Sequence, residues 1–253
     1  MMKNLSVIIF CMLLSAMTAW SAEREDNSDL HIKGRVGYSI GGTAPIGMPA
    51  TIRKLNKYEL KPNLLVGVDV QKNFWGKWGL QGGLRFENKS MSIDATVKSY
   101  YMDLERGGQS LDGRFTGRVI TDVRQWMFTV PVNATFQPSE RVLLYAGPYL
   151  SVLTSKCFGG NVYNGYLRKG NPTGEKVEMG DDEGSRGYYD FDDDMRPLQF
   201  GLNVGADWRV LNQFGLYANL SWGLTGVFKS DFKTLEQTLY PIYGTIGIVY
   251  QIK

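Results

Sequence analysis

The chain has 253 residues, of which 43% are hydrophobic and 13% aromatic, and its formal net charge at pH 7 is +3. This length suits one large all-β domain or two smaller domains. The negative mean hydropathy excludes a protein built from several transmembrane helices, since each needs about 20 apolar residues. The small net charge gives no support for nucleic acid as a partner. The 30 glycines show no collagen period and, with the aromatic residues, indicate many strands.

The chain begins with the composition of a secretory signal peptide. A basic residue precedes the apolar stretch 5–19, and small residues flank Trp20 at the predicted cleavage site. The sequence therefore predicts a signal peptide at 1–21 and a mature domain at 22–253. Removing the signal peptide leaves Cys157 as the one cysteine, so the prediction includes no disulfide within the mature chain.

Apolar and polar residues then alternate with period two, which is typical of strands that have two different faces. In the segment 198–208, apolar even-numbered residues alternate with polar or small odd-numbered ones. Seven further strands are predicted, in chain order, at 32–40, 63–71, 77–86, 125–136, 141–154, 214–228 and 240–252.

The predicted connections alternate in length. The even-numbered ones have roughly five residues each, and the odd-numbered ones are long: 44–57, 91–118, 155–196 and 229–239. Short turns at one end and long loops at the other are typical of barrels in the bacterial outer membrane. The predicted fold class is therefore all-β: an eight-stranded antiparallel transmembrane β-barrel with short periplasmic turns and long extracellular loops.

Aromatic residues distinguish this barrel from a soluble one, in which the apolar face would point inward. They lie at both ends of the apolar face of successive strands, 8 or 10 residues apart. That spacing corresponds to roughly 20–25 Å of height, which matches an apolar band between two aromatic girdles. The predicted girdle residues are Trp78, Phe86, Trp126, Phe136, Phe200, Trp208, Phe214, Trp222, Tyr240 and Tyr250.

Charged residues share the opposite face of the predicted strands. On the lipid side, each Arg or Lys would cost about 2–4 kcal/mol at mid-membrane, whereas opposite charges can pair inside the barrel. Inward glycines, such as Gly83 and Gly205, leave room for long Arg and Gln neighbours, and an eight-stranded interior is filled by side chains. We therefore expect a plugged polar lumen, with a narrow ion path as the alternative. The predicted lumen charge network comprises Arg35, Asp69, Arg85, Glu87, Asp207 and Arg209.

Two predicted hairpins resemble the PorT-like outer-membrane β-barrel family. The first spans 126–153 and has a central Pro131, a short turn and then Tyr-x-Gly-Pro-Tyr at 145–149; the second spans 198–227. The resemblance covers roughly residues 30–253. It implies insertion into the outer membrane, and the family's name suggests a link to protein secretion machinery.

His31 is the single histidine and precedes the first predicted strand, near the periplasmic mouth. Outer-membrane barrels that are enzymes use histidine as a base or as an orienting group, and a partner on the extracellular side could not reach His31. No paired-carboxylate motif, phosphate-binding loop or Cys/His metal spacing is present. The sequence therefore predicts a protein that is not an enzyme and has no cofactor, with a lipid- or peptide-acting membrane enzyme as an alternative.

The fifth connection is strongly acidic, with nine Asp or Glu residues between Glu175 and Asp194. One interpretation is a solvated, mobile surface loop. A second is a weak Ca²⁺ site formed by Asp190, Asp192 and Asp194, because Ca²⁺ prefers carboxylate oxygens, although the spacing is not that of an EF-hand. A third is recognition of a cationic partner, in which neighbouring aromatic residues would take part.

The third connection contains basic residues, among them Arg114 and Arg118, that could contact lipopolysaccharide phosphates or simply be solvated at the rim. The predicted partners are outer-membrane lipid and lipopolysaccharide, and proteins bound by the extracellular loops or periplasmic turns. The predicted function is a binding, docking or structural role in the outer membrane, with a small channel as the main alternative.

Overall fold

The computed structural model describes residues 30–45, 47, 49–232, 234 and 237–252. The predicted signal peptide, 1–21, lies outside the described residues. Among the described residues, no helix has the length and apolar character needed to cross a bilayer.

The described residues form eleven β-strands in one sheet, with a single 3₁₀ turn at Glu183–Ser185. The strands are β1 (Leu30–Pro45), β2 (Ile52–Leu60), β3 (Asn63–Trp75), β4 (Trp78–Arg106), β5 (Gln109–Ser139), β6 (Val142–Lys169), β7 (Lys176–Met179), β8 (Gly187–Asp190), β9 (Leu198–Arg209), β10 (Phe214–Gly223) and β11 (Leu239–Gln251).

Eight of these strands close into a ring, in the order β1, β3, β4, β5, β6, β9, β10 and β11. The ring closes where β11 pairs antiparallel with β1, from Lys33 opposite Gln251 to Pro45 opposite Leu239. The predicted all-β, eight-stranded antiparallel barrel is confirmed. Short connections lie at one end, between β3 and β4, β5 and β6, and β9 and β10. We name this end the periplasmic end.

The other end differs from the prediction of long loops. β4 continues to Arg106 and β5 begins at Gln109, so the loop predicted at 91–118 is wrong. Gly107 and Gly108 make the turn, both with positive φ (57° and 77°), a conformation that glycine adopts without steric cost. Similarly, the loop predicted at 155–196 is wrong in part, because β6 continues to Lys169 and is followed by β7 and β8.

These strands continue because their alternation changes phase. In β5 the odd-numbered residues face inward over the whole strand: polar ones such as Gln125 and Asn133 near the periplasmic end, but apolar ones such as Phe115 and Val123 beyond Arg124. The outward residues change in the opposite sense: they are apolar between Arg124 and the periplasmic end, and mostly polar between Arg124 and Gln109. An apolar outer face fits lipid and a polar outer face fits water. The phase change therefore marks where the sheet leaves the apolar layer.

We name the part beyond this phase change the sheet extension. It comprises β2, β7, β8 and residues 91–106, 109–124 and 156–169 of β4, β5 and β6. β2 pairs with β4, β7 pairs with β6, and β8 pairs with both β4 and β6.

The sheet extension has its own apolar core. Phe158 packs edge-to-face on Phe228, with ring centroids 4.7 Å apart, and Phe191 and Phe232 join the same aromatic cluster. The segment that follows β10 therefore packs against the extension. The buried residues of this core are Met91, Val97, Met102, Leu104, Leu111, Phe115, Val119, Val123, Phe158, Val162, Leu167, Met179, Tyr189, Phe191, Met195, Val227 and Phe228.

Candidate functional site

The lumen holds a buried ion-pair cluster near its middle. Arg35 has no exposed side-chain surface, and its Nε lies 2.5 Å from Asp69 Oδ2. Its Nη2 lies 3.5 Å from Asp207 Oδ2, which also accepts a hydrogen bond from Lys33 Nζ at 3.3 Å. Arg85 Nη2 lies 3.5 Å from Asp69 Oδ2. The structure thus brings four of the six predicted lumen residues together and adds Lys33, which the sequence placed on the same face.

A second buried pair lies further from the periplasmic end. Lys89 Nζ is 3.3 Å from Glu87 Oε1, and the Thr129 hydroxyl donates to the same oxygen at 2.6 Å. Glu87 therefore belongs to this separate pair. Arg209, the sixth predicted residue, is exposed at the periplasmic mouth and is not part of the buried cluster, because it lies in the last position of β9. Its prediction as a buried lumen charge is wrong.

Tyrosine rings fill much of the remaining lumen. Arg35 donates from Nη1 to the Tyr145 hydroxyl at 3.2 Å, and its guanidinium lies 4.6 Å from the centroid of the Tyr217 ring. Lys89 lies similarly near the rings of Tyr149 and Tyr243. Sequence reasoning missed Tyr145 and Tyr149, because both faces of the predicted strand 141–154 are apolar and do not define its register.

The inward glycines provide space for these rings. A Cβ atom at Gly205 would lie 2.5 Å from the Tyr145 ring, and one at Gly201 would lie 2.5 Å from the Tyr149 ring. Such distances are far inside van der Waals contact, so no other residue fits there without movement. The sequence predicted that inward glycines make room for long Arg and Gln neighbours, whereas the neighbours at these two positions are tyrosine rings.

The aromatic residues predicted for the girdles occur at two levels on the outer surface. At the periplasmic end, the rings of Trp78 and Phe136 are 4.7 Å apart. At the other level, Phe86 stacks on Trp126 at 5.2 Å. Phe136 and Tyr240 are half-buried, whereas the remaining eight are exposed: Trp78, Phe86, Trp126, Phe200, Trp208, Phe214, Trp222 and Tyr250.

Asp94 organises the outer face of the sheet extension. Its carboxylate accepts hydrogen bonds from Asn56 of β2 at 3.1 Å, from Tyr163 of β6 at 3.2 Å and from Arg118 of β5. Burial raises the pKa of this carboxyl, but the hydrogen bonds from Arg118, Asn56 and Tyr163 outweigh that effect, so the pKa lies below its ordinary value. One side chain thus joins four strands, and Arg118 is bound within the sheet rather than freely solvated.

A family model supplies the decisive comparison. The model described as "Outer membrane protein beta-barrel domain" matches residues 21–229, which is most of the chain. The chain belongs to this outer-membrane β-barrel family. It is therefore an outer-membrane β-barrel protein, as the sequence predicted. This match does not distinguish PorT-like proteins from other outer-membrane β-barrel proteins.

The chain is also similar to solved structures of outer-membrane proteins, at low sequence identity. Ail of Yersinia pestis, in complex with the heparin analogue sucrose octasulfate, is 12% identical, with a TM-score of 0.41 and coverage of 88% of this chain and 99% of that one. Neisserial surface protein A is 9% identical (TM-score 0.40; 90% and 100% covered). OprG from Pseudomonas aeruginosa is 11% identical (TM-score 0.39; 89% and 97% covered). The comparison with curated proteins gives no match.

In this outer-membrane barrel, the acidic segment before β9 is folded. Asp192 Oδ1 accepts a hydrogen bond from the Phe158 amide at 2.5 Å, and Asp190 Oδ1 accepts one from the Asp192 amide at 2.9 Å. Among the described residues, no three His, Cys, Asp or Glu side chains converge on a metal position. The structure therefore does not assemble Asp190, Asp192 and Asp194 into a ligand set.

The reactive side chains that the sequence singled out lie apart in the barrel. His31 is at the periplasmic end, where its Nδ1 is 3.1 Å from Gln251 Nε2. Cys157 is a free, half-buried cysteine in the sheet extension, and its Sγ lies 3.6 Å from Arg124 Nη2. His31 and Cys157 thus lie at opposite ends of the molecule.

Proposed function

We propose that this protein is a display barrel: a closed outer-membrane wall that holds the sheet extension outside the cell for binding or docking. The observation that carries the proposal is the packed core of the extension, with residues such as Phe115 and Val162 wholly buried. A sheet with its own core presents a rigid surface, and rigid surfaces bind with a smaller entropy loss than mobile loops do.

Closure of the lumen supports display rather than transport. The Arg35–Asp69–Asp207 cluster and the tyrosine rings occupy the middle of the barrel, and the apolar core of the extension lies beyond them. Charged clusters of this kind are costly to separate, because each partner would be left buried without its counter-charge.

The exposed aromatic residues support placement of the wall in the bilayer. We propose that the two levels, marked by Trp78 and Trp126, contact the two membrane–water interfaces, with lipid and lipopolysaccharide as surrounding partners. In this orientation the sheet extension, with Lys54 and Arg118 on its surface, is extracellular. Exposed basic side chains at that level, such as Lys54, are available to lipopolysaccharide phosphates, whereas Arg118 is already paired with Asp94.

Crosslinking in intact cells tests the display function. A photo-crosslinking amino acid in place of Lys54, which is exposed on β2, is expected to capture a protein or glycan partner. The same amino acid in place of Leu216, an exposed residue of the barrel wall on β10, is expected to capture only lipid and neighbouring membrane proteins. Identical products from both positions would contradict the display function and favour a purely structural barrel.

The same experiment addresses the link to protein secretion that the PorT-like resemblance implies. We propose that secretion components are among the partners of the extension or of the periplasmic turns. Their capture would support this link. Capture of other proteins alone would leave a display barrel without a secretion role.

A small channel is the second candidate, because most of the buried side chains inside the barrel wall are polar. With the ion-pair cluster in place, we expect no stepwise conductance from the purified protein in planar lipid bilayers. Steps of conductance that change when Arg35→Ser or Arg85→Ser is introduced would show that ions cross the lumen, and would replace the display proposal with a channel.

We further propose that the protein is not an enzyme. The position of His31 supports this, because it lies at the periplasmic mouth, at the opposite end of the barrel from the sheet extension.

A further inference from the structure

The buried charges of the lumen do not balance. The buried ionisable side chains in the described part of the chain comprise four cations, Lys33, Arg35, Arg85 and Lys89, and three carboxylates, Asp69, Glu87 and Asp207. With all seven groups ionised, the lumen therefore carries an excess of one positive charge. An uncompensated buried charge costs several kcal/mol, because water no longer solvates it.

A cavity lies beside the cation with the weakest pairing. It is lined by Arg85, Lys89, Glu87, Thr129, Asn203 and Asn219 among others, and its volume is about 10 Å³. A space of this size holds one atom-sized guest, such as a water molecule or a monatomic ion.

Arg85 has N–H donors available to a molecule or ion in this cavity. Its side chain is buried, and its Nη2 reaches Asp69 Oδ2 only at 3.5 Å, whereas Arg35 holds the same oxygen at 2.5 Å. Neither Nε nor Nη2 of Arg85 has a hydrogen-bond partner among the described residues. Glu87 does not supply one, because Thr129 and Lys89 engage it.

We propose that this cavity binds a monatomic anion, chloride under ordinary salt conditions, against the guanidinium of Arg85. A water molecule would supply an acceptor for Arg85 but no charge, whereas chloride supplies both. Asn219 has no partner for its side-chain oxygen, and a half-turn of its amide presents the NH₂ group to the anion. The anion therefore balances the lumen charge and completes the hydrogen bonding of Arg85.

Bromide provides a direct probe of this site. In crystals grown with sodium bromide in place of chloride, an anomalous peak is expected in the cavity, within hydrogen-bonding distance of Arg85. Arg85→Gln is expected to lose the peak, and Arg209→Gln, a control at the periplasmic mouth, is expected to keep it. A cavity that contains only water, or a peak that persists in Arg85→Gln, would overturn the proposal.

Thermal unfolding in micelles gives a second readout that does not depend on the Arg85 variant folding. The Tm of the native protein is expected to rise from gluconate to chloride at equal ionic strength. Asn219→Asp places a fixed carboxylate in the cavity, so it is expected to abolish both the bromide peak and this rise. Equal Tm values in gluconate and chloride for the native protein would also overturn the anion site.

Discussion

Asp69→Asn is expected to lower the free energy of unfolding of the barrel by about 3–5 kcal/mol, because it removes the carboxylate that Arg35 and Arg85 share inside a closed lumen. Gln81, which donates to Asp69 Oδ2 at 3.0 Å, can still bond to an asparagine. The main loss is therefore the counter-charge of two buried guanidinium groups rather than a hydrogen bond.

The measurement is reversible urea unfolding in detergent micelles, followed by tryptophan fluorescence and by the gel mobility shift between folded and boiled protein. Asp193→Asn serves as the control, because Asp193 is exposed in the turn before β9 and makes no lumen contact; its effect should stay within about 0.5 kcal/mol. A loss below about 1 kcal/mol for Asp69→Asn would mean that water reaches the cluster and screens it.

Phe115→Ala is expected to destabilise the sheet extension by about 3–5 kcal/mol while the barrel wall stays folded. Phe115 has an exposed fraction of 0% and lies at the centre of the apolar core above the wall. The strands of the wall form their own hydrogen-bonded ring around a separate, polar interior. Loss of the apolar core of the sheet extension therefore leaves this ring closed.

Limited proteolysis of the folded protein in micelles, with the fragments identified by mass spectrometry, measures this effect. New cleavage sites are expected within 91–118 and 155–169, while the gel shift on boiling is retained. Phe128→Ala is the matched control on the same strand: its ring is 44% exposed on the outer surface of the wall and should leave the extension resistant. Loss of the gel shift in Phe115→Ala would show that extension and wall fold as one unit.

The wall of the barrel follows from the sequence because its two faces have different solvents. Lipid outside and paired polar groups inside require apolar and polar residues to alternate, and that alternation set the strands around 78–86, 126–136 and 198–208. The outward aromatic residues and the inward position of Arg35, Asp69 and Asp207 follow from the same parity.

The sheet extension could not be recognised by that rule, because the outer solvent changes from lipid to water along each strand. In β4 the segment 91–97 alternates as regularly as the wall does, with Met91, Ile93, Ala95 and Val97 on one parity. These residues have the parity that is polar and inward in the wall. The segment 91–97 therefore breaks the pattern of the wall, in which this parity is polar. From the sequence alone, such a break indicates the end of the strand and the start of a loop.

Contacts between strands that are distant in sequence decided the rest. The sequence places Arg35, Asp69 and Asp207 on inward faces, but their distances depend on the shear of the ring and on the bulky tyrosines that share the lumen. The same holds for Asp94, whose partners come from β2, β5 and β6. Alternation thus determines which side chains enter the lumen, whereas strand register alone determines which charges pair and where a cavity remains.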